Sequence, residues 1–505
     1  MNIILSTVGY FIHAFTGLNV AEDQLTFLVA LYIALSTSYI YKWYIQFSYL
    51  QVKYKLSFLG LSGIWLLYFI WGWNFLFALV EVTVCYVLMI YLPSQSSKRY
   101  VFVFAMGTLS IAHAYNVYER LISNNKDIAA DFTGPVMIIT QRVTSLSFSL
   151  SDGAVKEESL TENQKRSAIK KTPTFYEYFA YMFSVFGIMA GPLVFFNDFI
   201  KCTQEESKYY NEKDTKKSAS PSPNRAVLSK VITSMMMIVI YWLGSKTWHY
   251  QKNVDPTFIE STPVWQRFLY LYGSLFVSRA KYYGVWLFAD AVHNVAGIGF
   301  SGYCEDGKPQ WELISNINIL NIEMATGLKT YIDNWNITTV KWIRLVAYDR
   351  LSTKYRTWAC FMLSAFWHGF FPGYYMMFLT CHVYLLVQRK ARRVIRPNFQ
   401  TSRNLRILYE VVTLFITQIT IAYSVLPFVI LEWTASIRFY KSVWFVGHVI
   451  GLVLLLVLPS GKPPVKSQNG HRDHRYQLVG KEVIESKTAL AAGLSQNGHN
   501  HVRQR

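Results

Sequence analysis

Charged residues are scarce in this sequence. Asp, Glu, Lys and Arg make up 16% of its 505 residues, whereas a typical soluble domain contains roughly 25%. Hydrophobic residues make up 52%, and the mean hydropathy is +0.20. Apolar segments of bilayer-spanning length recur along the chain, which predicts an all-α polytopic membrane protein.

Cysteine is scarce as well. The chain has five cysteines, Cys85, Cys202, Cys304, Cys360 and Cys381. Their number is odd and no two have metal-ligand spacing, which argues against a disulfide framework. No other metal-ligand cluster is evident, so we expect no metal and no permanently bound cofactor. The N-terminus lacks a basic segment and a small-residue cleavage site, which predicts that no signal peptide is removed.

Acidic residues are outnumbered by basic ones. The chain has 49 Lys and Arg against 30 Asp and Glu, a formal net charge of +19. The excess gathers in loops between apolar segments, as the positive-inside rule expects, so it does not indicate a nucleic-acid partner. A basic cytosolic face is suited instead to anionic membrane lipids or to a phosphorylated co-substrate.

The apolar segments predict about ten or eleven membrane helices. The candidates are Leu25–Ile45, two within Leu56–Leu92, Tyr100–Tyr115, Tyr176–Phe196, Val227–Trp248, Val264–Val292, Thr357–Gln388, Arg406–Leu431 and Val443–Leu458, with Ile3–Ala14 and Leu313–Tyr331 as possible additions.

Polar stretches divide the chain into a membrane domain, residues 1–460, and a basic tail, residues 461–505. The tail is predicted to be disordered, and residues 201–225 are predicted to form a mobile polar loop within the membrane domain. Between Arg389 and Arg406 there are seven basic residues and no acidic ones, which places that loop in the cytosol. The tail follows two spans later and therefore returns to the cytosolic side.

A second basic segment, residues 341–356, conflicts with this topology. It contains Lys341, Arg344, Arg350, Lys354 and Arg356, opposed only by Asp349. It also favours the cytosol, yet one full span cannot join two cytosolic loops. Either Thr357–Gln388 is broken at Pro372-Gly373, or the basic segment lies in the membrane interface.

His368 lies inside this apolar stretch, within the aromatic run Ser364–Tyr375 (SAFWHGFFPGYY). An ionisable side chain at membrane depth is costly and therefore marks a candidate functional site. Histidine also suits proton transfer near neutral pH. The alternative is a core histidine that bonds a carbonyl or a tyrosine.

Two further segments carry polar residues among apolar ones. Asp131–Gly153 contains Gln141 and Arg142, and it either lies along an interface or forms part of a cavity wall. Val264–Val292 contains Arg279, Lys281 and Asp290, which we expect to line a polar path.

A polar cluster precedes the basic segment and contains Asn336. Asn336-Ile337-Thr338 is the only N-x-S/T sequon in the chain, so a glycosylation acceptor is the alternative to a site residue. Trp335 and Trp342 crowd the sequon, and the basic run that follows favours the opposite membrane face. Both arguments favour a site residue.

Asn336 and His368 lie in a block, Gly297–Phe378, that resembles the membrane-bound O-acyltransferase (MBOAT) family. The matching motifs are Trp335-Asn336-Ile337-x-Thr339 and Ser364-Ala365-x-Trp367-His368-Gly369, and the likeness extends to Asp131–Gly153, Ala190-Gly191-Pro192, Asn197-Asp198-Phe199 and Gly299-Phe300-x-Gly302-Tyr303. Together with Trp367–Tyr375, these segments are similar to the lysophospholipid acyltransferase branch, nearest its lysophosphatidylethanolamine and lysophosphatidylserine members. The resemblance covers most of the membrane region but neither the 201–225 loop nor the tail.

The resemblance implies a helical bundle around an internal substrate cavity, in the endoplasmic reticulum membrane. It implies transfer of a fatty acyl group from acyl-CoA to the free hydroxyl of a lysophospholipid, in phospholipid remodelling. His368 would be the general base, an effect worth about 10²–10⁴-fold, and Asn336 would stabilise the oxyanion or orient substrate. No Ser or Cys nucleophile motif such as G-x-S-x-G is present, which favours direct transfer over an acyl-enzyme.

We expect residues of the same motifs and of the basic segment to hold the two substrates. The candidates are Trp335, Thr339, Lys341, Arg344, Lys354, Arg356, Trp367, Tyr374, Tyr375, Gln141 and Arg142. The basic ones suit CoA phosphates, although an ordinary positive-inside loop explains any single one equally well. The sequence leaves open the acyl chain, the oligomeric state and whether lysophosphatidylethanolamine, lysophosphatidylserine or lysophosphatidylcholine is the acceptor.

Two other functions stay open. One is a family member with a different acceptor, namely a sterol, diacylglycerol or a protein. The other is a transporter in which His368 and the polar residues of Val264–Val292 line an ion path. Transporters often contain internal repeats, and none is evident here.

Overall fold

The structure, a computed structural model, describes residues 22–46, 48–121, 131–205 and 221–459. Its α-helices are α1 (Glu22–Ile40), α2 (Val52–Trp71), α3 (Phe75–Tyr91), α4 (Ser94–Leu121), α5 (Thr133–Gly153), α6 (Glu162–Ser167), α7 (Phe175–Phe183), α8 (Phe196–Ile200), α9 (Asn224–Thr247), α10 (Pro256–Ser261), α11 (Val264–Val295), α12 (Ile319–Glu323), α13 (Leu328–Asn334), α14 (Ile337–Ile343), α15 (Arg356–His368), α16 (Pro372–Val394), α17 (Arg403–Ile430), α18 (Trp433–Ser442) and α19 (Val446–Val457).

Shorter elements join these helices. The 3₁₀ turns are Gly72–Asn74, Glu157–Ser159, Tyr250–Val254 and Arg396–Phe399, and the π-helical turns are Tyr41–Ile45, Lys201–Glu205 and Arg344–Tyr348. Strands β1 (Gly302–Tyr303) and β2 (Pro309–Gln310) form one antiparallel hairpin in which Gly302 pairs with Gln310. The fold is therefore all-α, as predicted.

Several helices are long and apolar enough to cross a membrane. Within the described ranges these stretches are Gln24–Ile45, Val52–Tyr91, Ser94–Glu119, Asn224–Val254 and Arg403–Ile430. Helices α18 and α19 meet at 75° and add a sixth if they are counted as one broken span. A polytopic membrane protein is thus confirmed, whereas the predicted number of about ten to eleven membrane helices is not.

Some predicted spans are wrong. The predicted span Tyr176–Phe196 is not one helix, because α7 ends at Phe183 and α8 begins only at Phe196. The nine residues of α7 extend about 14 Å, against about 30 Å of bilayer core. Leu313–Tyr331 contains only the short α12 and the start of α13. The predicted Ile3–Ala14 segment, most of the 201–225 loop and the 461–505 tail lie outside the described residues.

The core surrounds α5. Helix α4 packs against α5, α3 packs against both, and α2 packs against α7. Every residue of α5 from Ile139 to Asp152 is buried. A helix that lay along a membrane interface would leave one face to solvent or headgroups. Burial and the presence of Gly134, Met137 and Ile138 in a cavity lining therefore favour the other expectation, that this segment forms part of a cavity wall.

The apolar stretch Thr357–Gln388 is broken, which is one of the two solutions that the topology conflict left open. Helix α15 ends at His368, and α16 begins at Pro372. Proline is favoured at the first helical position because its missing N–H would have no partner there. The break places His368 at the end of a helix, beside irregular backbone.

Candidate active site

A cavity of about 450 Å³ lies among α1, α5, α9, α11 and the two motif segments. Most of its lining is apolar or aromatic. Five of the predicted site residues line it, namely Asn336, Thr339, Trp367, His368 and Tyr374. Asn336 and His368, which are 32 positions apart in the sequence, therefore meet at one cavity.

His368 is surrounded by aromatic rings. Its imidazole lies 5.0 Å from the ring of Phe428 and 5.6 Å from the rings of Tyr374 and Phe378, between centroids. Within the described ranges, neither of its ring nitrogens has a hydrogen-bond partner. The described residues therefore give no support to a core histidine bonded to a carbonyl or a tyrosine, and a ring nitrogen that faces substrate stays a prediction.

A second histidine holds the backbone next to His368. His113 of α4 is buried, and its Nε2 donates to the carbonyl oxygen of Trp367 at 3.0 Å. The following Gly369 has φ of 124°, which disfavours any residue with a side chain, and a Cβ there would lie 3.1 Å from Nδ1 of His113. Contact with His113 thus fixes the backbone conformation at Trp367 and Gly369, where α15 ends.

Asn336 has an unusual backbone. It precedes α14 at the N-cap position with φ of 52° and ψ of 49°, in the left-handed region, and its side chain makes no capping hydrogen bond. Asparagine tolerates this region better than other residues with side chains. Its Oδ1 accepts from Nδ2 of Asn316 at 3.0 Å. Its own Nδ2 has no partner among the described residues, so it can donate to a bound molecule.

One face of α5 holds both motif segments. Met137, Gln141 and Thr144 are spaced four and three residues apart and so share that face. The carbonyl of Met137 accepts from Nε1 of Trp367 at 3.1 Å. Gln141 donates to Thr339 at 2.9 Å, and Thr144 accepts from Nε1 of Trp342 at 2.9 Å. The segments that carry Asn336 and His368 are therefore both hydrogen-bonded to a single buried helix.

Gln141 and Arg142 do not line the cavity. Gln141 is fully buried behind Thr339. Arg142 donates to the carbonyls of Tyr181, Met182 and Phe186 at 2.6–2.9 Å. Tyr181 and Met182 belong to the last turn of α7, where a cation is favourable. The predicted substrate contact gains no support, and both side chains shape the cavity wall from behind.

The predicted phosphate-binding residues also lie outside the lining. Arg344 and Arg356 both lie over the ring of Tyr348, at 5.4 and 4.4 Å from its centroid, and Lys354 lies over Tyr355 at 5.0 Å. Arg350 is bound elsewhere, because it pairs with Asp152 of α5 through two bonds of 3.0 and 2.6 Å. Of the predicted phosphate-binding residues in this segment, Arg344 and Arg356 therefore lie next to each other, on the same tyrosine ring.

Lys341 belongs to a separate group of charges around Asp198. Burial raises the pKa of the Asp198 carboxyl, while the charges of Arg166, Lys341 and Lys201 act in the opposite direction. Lys341 itself is exposed, with Nζ 3.5 Å from the carbonyl of Leu313. Three cations around one carboxylate leave this surface positive.

Trp335 and Tyr375 complete the predicted set, and neither lines the cavity. The ring of Trp335 lies 5.1 Å from that of Trp286 and 5.9 Å from that of Tyr282. Both of those rings do line the cavity. Trp335 therefore supports the wall behind two lining aromatics, and Tyr375 has no ring contact within the described ranges.

Lys281 lines the cavity, but its predicted neighbours do not. Arg279 donates to both carboxylate oxygens of Glu323 at 3.0 and 2.8 Å, and Asp290 accepts from Lys230 at 2.7 Å. These buried pairs join α11 to α12 and to α9. The predicted polar path is therefore reduced to Lys281, which is the single Lys or Arg of the described cavity lining.

Sequence reasoning missed two residues, His113 and Asn316. His113 lies 254 positions from Trp367, and Asn316 lies 20 positions from Asn336. Neither belongs to a recognisable motif. Among the described residues, no three His, Cys, Asp or Glu side chains form a group that could hold a metal ion.

Comparison with known proteins gives consistent results. The sequence model of the membrane-bound O-acyltransferase family matches residues 121–429. Membrane-bound glycerophospholipid O-acyltransferase 2 of Homo sapiens is 36% identical over 491 residues, which cover 95% of this chain and 93% of that protein. Membrane-bound glycerophospholipid O-acyltransferase 1 of Homo sapiens is 35% identical over 459 residues, 89% of this chain and 92% of that protein. Lysophospholipid acyltransferase 6 of Drosophila melanogaster is 34% identical over 499 residues, 95% of this chain and 68% of that protein.

Proposed function

This chain belongs to the membrane-bound O-acyltransferase family, and from that premise we propose that it is a lysophospholipid acyltransferase. It transfers a fatty acyl group from acyl-CoA to the free hydroxyl of a lysophospholipid, in phospholipid remodelling. Similarity to relatives named glycerophospholipid and lysophospholipid acyltransferases supports this acceptor class. The endoplasmic reticulum membrane, with the C-terminal tail in the cytosol, is the proposed location.

The observation that carries the proposal is the meeting of His368 and Asn336 at one largely apolar cavity. A ring nitrogen of His368 and Nδ2 of Asn336 both lack partners among the described residues, so the cavity offers one proton acceptor and one amide donor. Apolar walls suit a lipid chain and exclude water, which would otherwise hydrolyse the thioester.

The chemistry needs only these two groups. As the lysophospholipid oxygen bonds to the thioester carbon, His368 takes the hydroxyl proton, an effect worth about 10²–10⁴-fold. The carbonyl oxygen becomes an oxyanion, which the Asn336 amide stabilises, worth about 10²–10³-fold. The carbon–sulfur bond then breaks, and the CoA thiolate takes the proton from His368. The products are a phospholipid and free CoA.

Charged side chains suit the phosphates of both substrates. Lys281 lies in the cavity lining, so we assign to it the phosphate of the lysophospholipid. Arg344 and Arg356, outside the lining, are assigned to CoA, whose phosphates stay outside the cavity while the acyl chain enters. Lysophosphatidylethanolamine, lysophosphatidylserine and lysophosphatidylcholine all carry the phosphate that Lys281 would contact.

The test is acyl transfer by the purified protein. Oleoyl-CoA is offered with lysophosphatidylethanolamine, lysophosphatidylserine, lysophosphatidylcholine and, separately, with a sterol and diacylglycerol. His368→Ala is measured alongside. His249→Ala is the matched control, since His249 is exposed, lies outside the cavity lining and, among the described residues, stacks on Tyr250 alone.

We expect transfer to at least one lysophospholipid, which His368→Ala abolishes and His249→Ala leaves intact. Transfer only to a sterol or diacylglycerol would overturn the acceptor class. Full turnover in folded His368→Ala would remove the imidazole from the mechanism.

A further inference from the structure

The N-terminus of α14 is capped by a residue outside the helix. Asn336 occupies the N-cap position, where an asparagine side chain normally accepts from the first helical N–H groups. Asn316 accepts in its place. Its carbonyl oxygen accepts from the N–H of Ile337 at 2.9 Å, and its Oδ1 accepts from the N–H of Thr338 at 3.0 Å.

These contacts fix the orientation of the Asn316 amide. A backbone N–H can only donate, so the atom that faces Thr338 must be the oxygen of that amide. An amide oxygen can only accept, so the Thr338 hydroxyl donates to this oxygen at 2.8 Å while it accepts from the N–H of Leu193 at 3.0 Å. The Nδ2 of Asn316 is left to face Asn336.

The orientation of the Asn316 amide determines that of the Asn336 amide. Because Nδ2 of Asn316 donates at 3.0 Å, the atom that receives it must be Oδ1 of Asn336. The Nδ2 of Asn336 then remains as the group that can donate into the cavity. A backbone N–H of α14 thus determines, through Asn316, which end of the Asn336 amide is available.

We propose that Asn316 is a positioning residue for acyl transfer, which caps α14 in place of Asn336 and holds the Asn336 amide with its N–H groups toward the reacting carbonyl. Asn316 is buried, and no sequence motif includes it. This inference rests on the proposed function, because it gives Asn336 an oxyanion to stabilise.

Asn316→Asp separates positioning from structure. An aspartate accepts from Ile337 and Thr338 as asparagine does, so α14 keeps its cap. It has no N–H for Asn336, so the Asn336 amide turns to donate to the carboxylate and presents its oxygen to the cavity. We expect kcat to fall about 10- to 100-fold, approaching the loss of an oxyanion donor, with KM for acyl-CoA and for the lysophospholipid unchanged.

Asn321→Asp is the matched control. Asn321 donates from Nδ2 to Oδ1 of Asn334 at 3.1 Å, the same kind of pair on an exposed site outside the cavity lining. We expect its kcat to equal that of the wild type.

The decisive measurement is a double-mutant cycle with Asn336→Ala. If Asn316 acts through Asn336, Asn316→Asp lowers kcat in the wild type but not in Asn336→Ala. Equal losses in both backgrounds would overturn the proposal. So would failure of Asn316→Asp to fold, because the proposed cap is retained. Failure of the proposed function shows separately, as absent transfer by the wild type or full activity of His368→Ala.

Discussion

The Nε2 atom of His113 lies 3.0 Å from the carbonyl oxygen of Trp367, so a histidine of α4 bonds the backbone beside a histidine of α15. The carbonyl belongs to the last turn of α15, where carbonyls lack partners within the helix. The bond satisfies this carbonyl and fixes the end of α15 at the same time.

Replacement of His113 by leucine should lower kcat about tenfold and leave both KM values unchanged. The loss would leave a buried carbonyl without its donor, which costs about 1–3 kcal/mol, and would loosen the backbone that carries His368. His113→Gln should recover part of the activity because its amide can donate. Kinetics of the purified variants measure both effects.

His448→Leu is the control for that experiment. The ring of His448 bonds the hydroxyl of Tyr423 at 2.6 Å, away from the cavity lining. Its loss should lower thermal stability without a specific fall in kcat. Equal kcat losses in the two leucine variants would contradict a local role for His113.

Lys281→Gln should raise KM for the lysophospholipid and leave KM for acyl-CoA unchanged. The rise should be about three- to fivefold, because a charge contact at an exposed lysine is worth about 1 kcal/mol or less. Lys281→Arg should restore binding. The exposed Lys246, outside the cavity lining, supplies the control Lys246→Gln. A rise in KM for acyl-CoA instead would reassign Lys281 to the other substrate.

The double replacement of Arg344 and Arg356 by glutamine should raise KM for acyl-CoA about tenfold, since each guanidinium forms strong bonds to phosphate. The same variant should use an acyl-pantetheine thioester, which has no phosphate, as well as the wild type does. Comparison of the two donors therefore isolates the phosphate contact. An equal loss with both donors would show that the two arginines support the fold.

Arg350→Ala should destabilise the protein by about 3 kcal/mol, because it leaves the buried Asp152 carboxylate without its partner. Exposed fractions are 3% for the Asp152 side chain and 20% for that of Arg350. Thermal unfolding in detergent measures the change. Glu162→Gln, which breaks the exposed pair with Lys165, should give no measurable change. A similarly small effect of Arg350→Ala would mean that the pair contributes little.

The parts of the candidate site that the sequence indicated are those with a local signal. The break before Pro372 follows from proline chemistry and from charge balance across the membrane. His368 follows from the cost of an ionisable group in an apolar run. The failure at Tyr176–Phe196 has the opposite cause. That segment is apolar because it is buried among other helices, and hydropathy cannot distinguish burial in protein from burial in lipid.

Residues whose roles depend on tertiary contacts have no local signal in the sequence. Asn316 bonds Asn336 only because the chain turns back between them, and an asparagine in a loop is ordinary. Arg142 was expected to bind substrate because a charge in an apolar segment is costly and therefore suggests a functional role. Its three carbonyl partners lie about 40 residues away in the sequence, and no local pattern indicates them.

The left-handed backbone of Asn336 limits which amino acids a saturation library could recover there. Glycine adopts φ of 52° without strain, aspartate tolerates it, and β-branched residues are disfavoured. Selection for a folded protein at this position should therefore return Asn, Asp and Gly, whereas selection for growth that depends on acyl transfer should return Asn alone. The difference between the two recovered sets would measure how much of the identity of position 336 is owed to chain geometry and how much to chemistry.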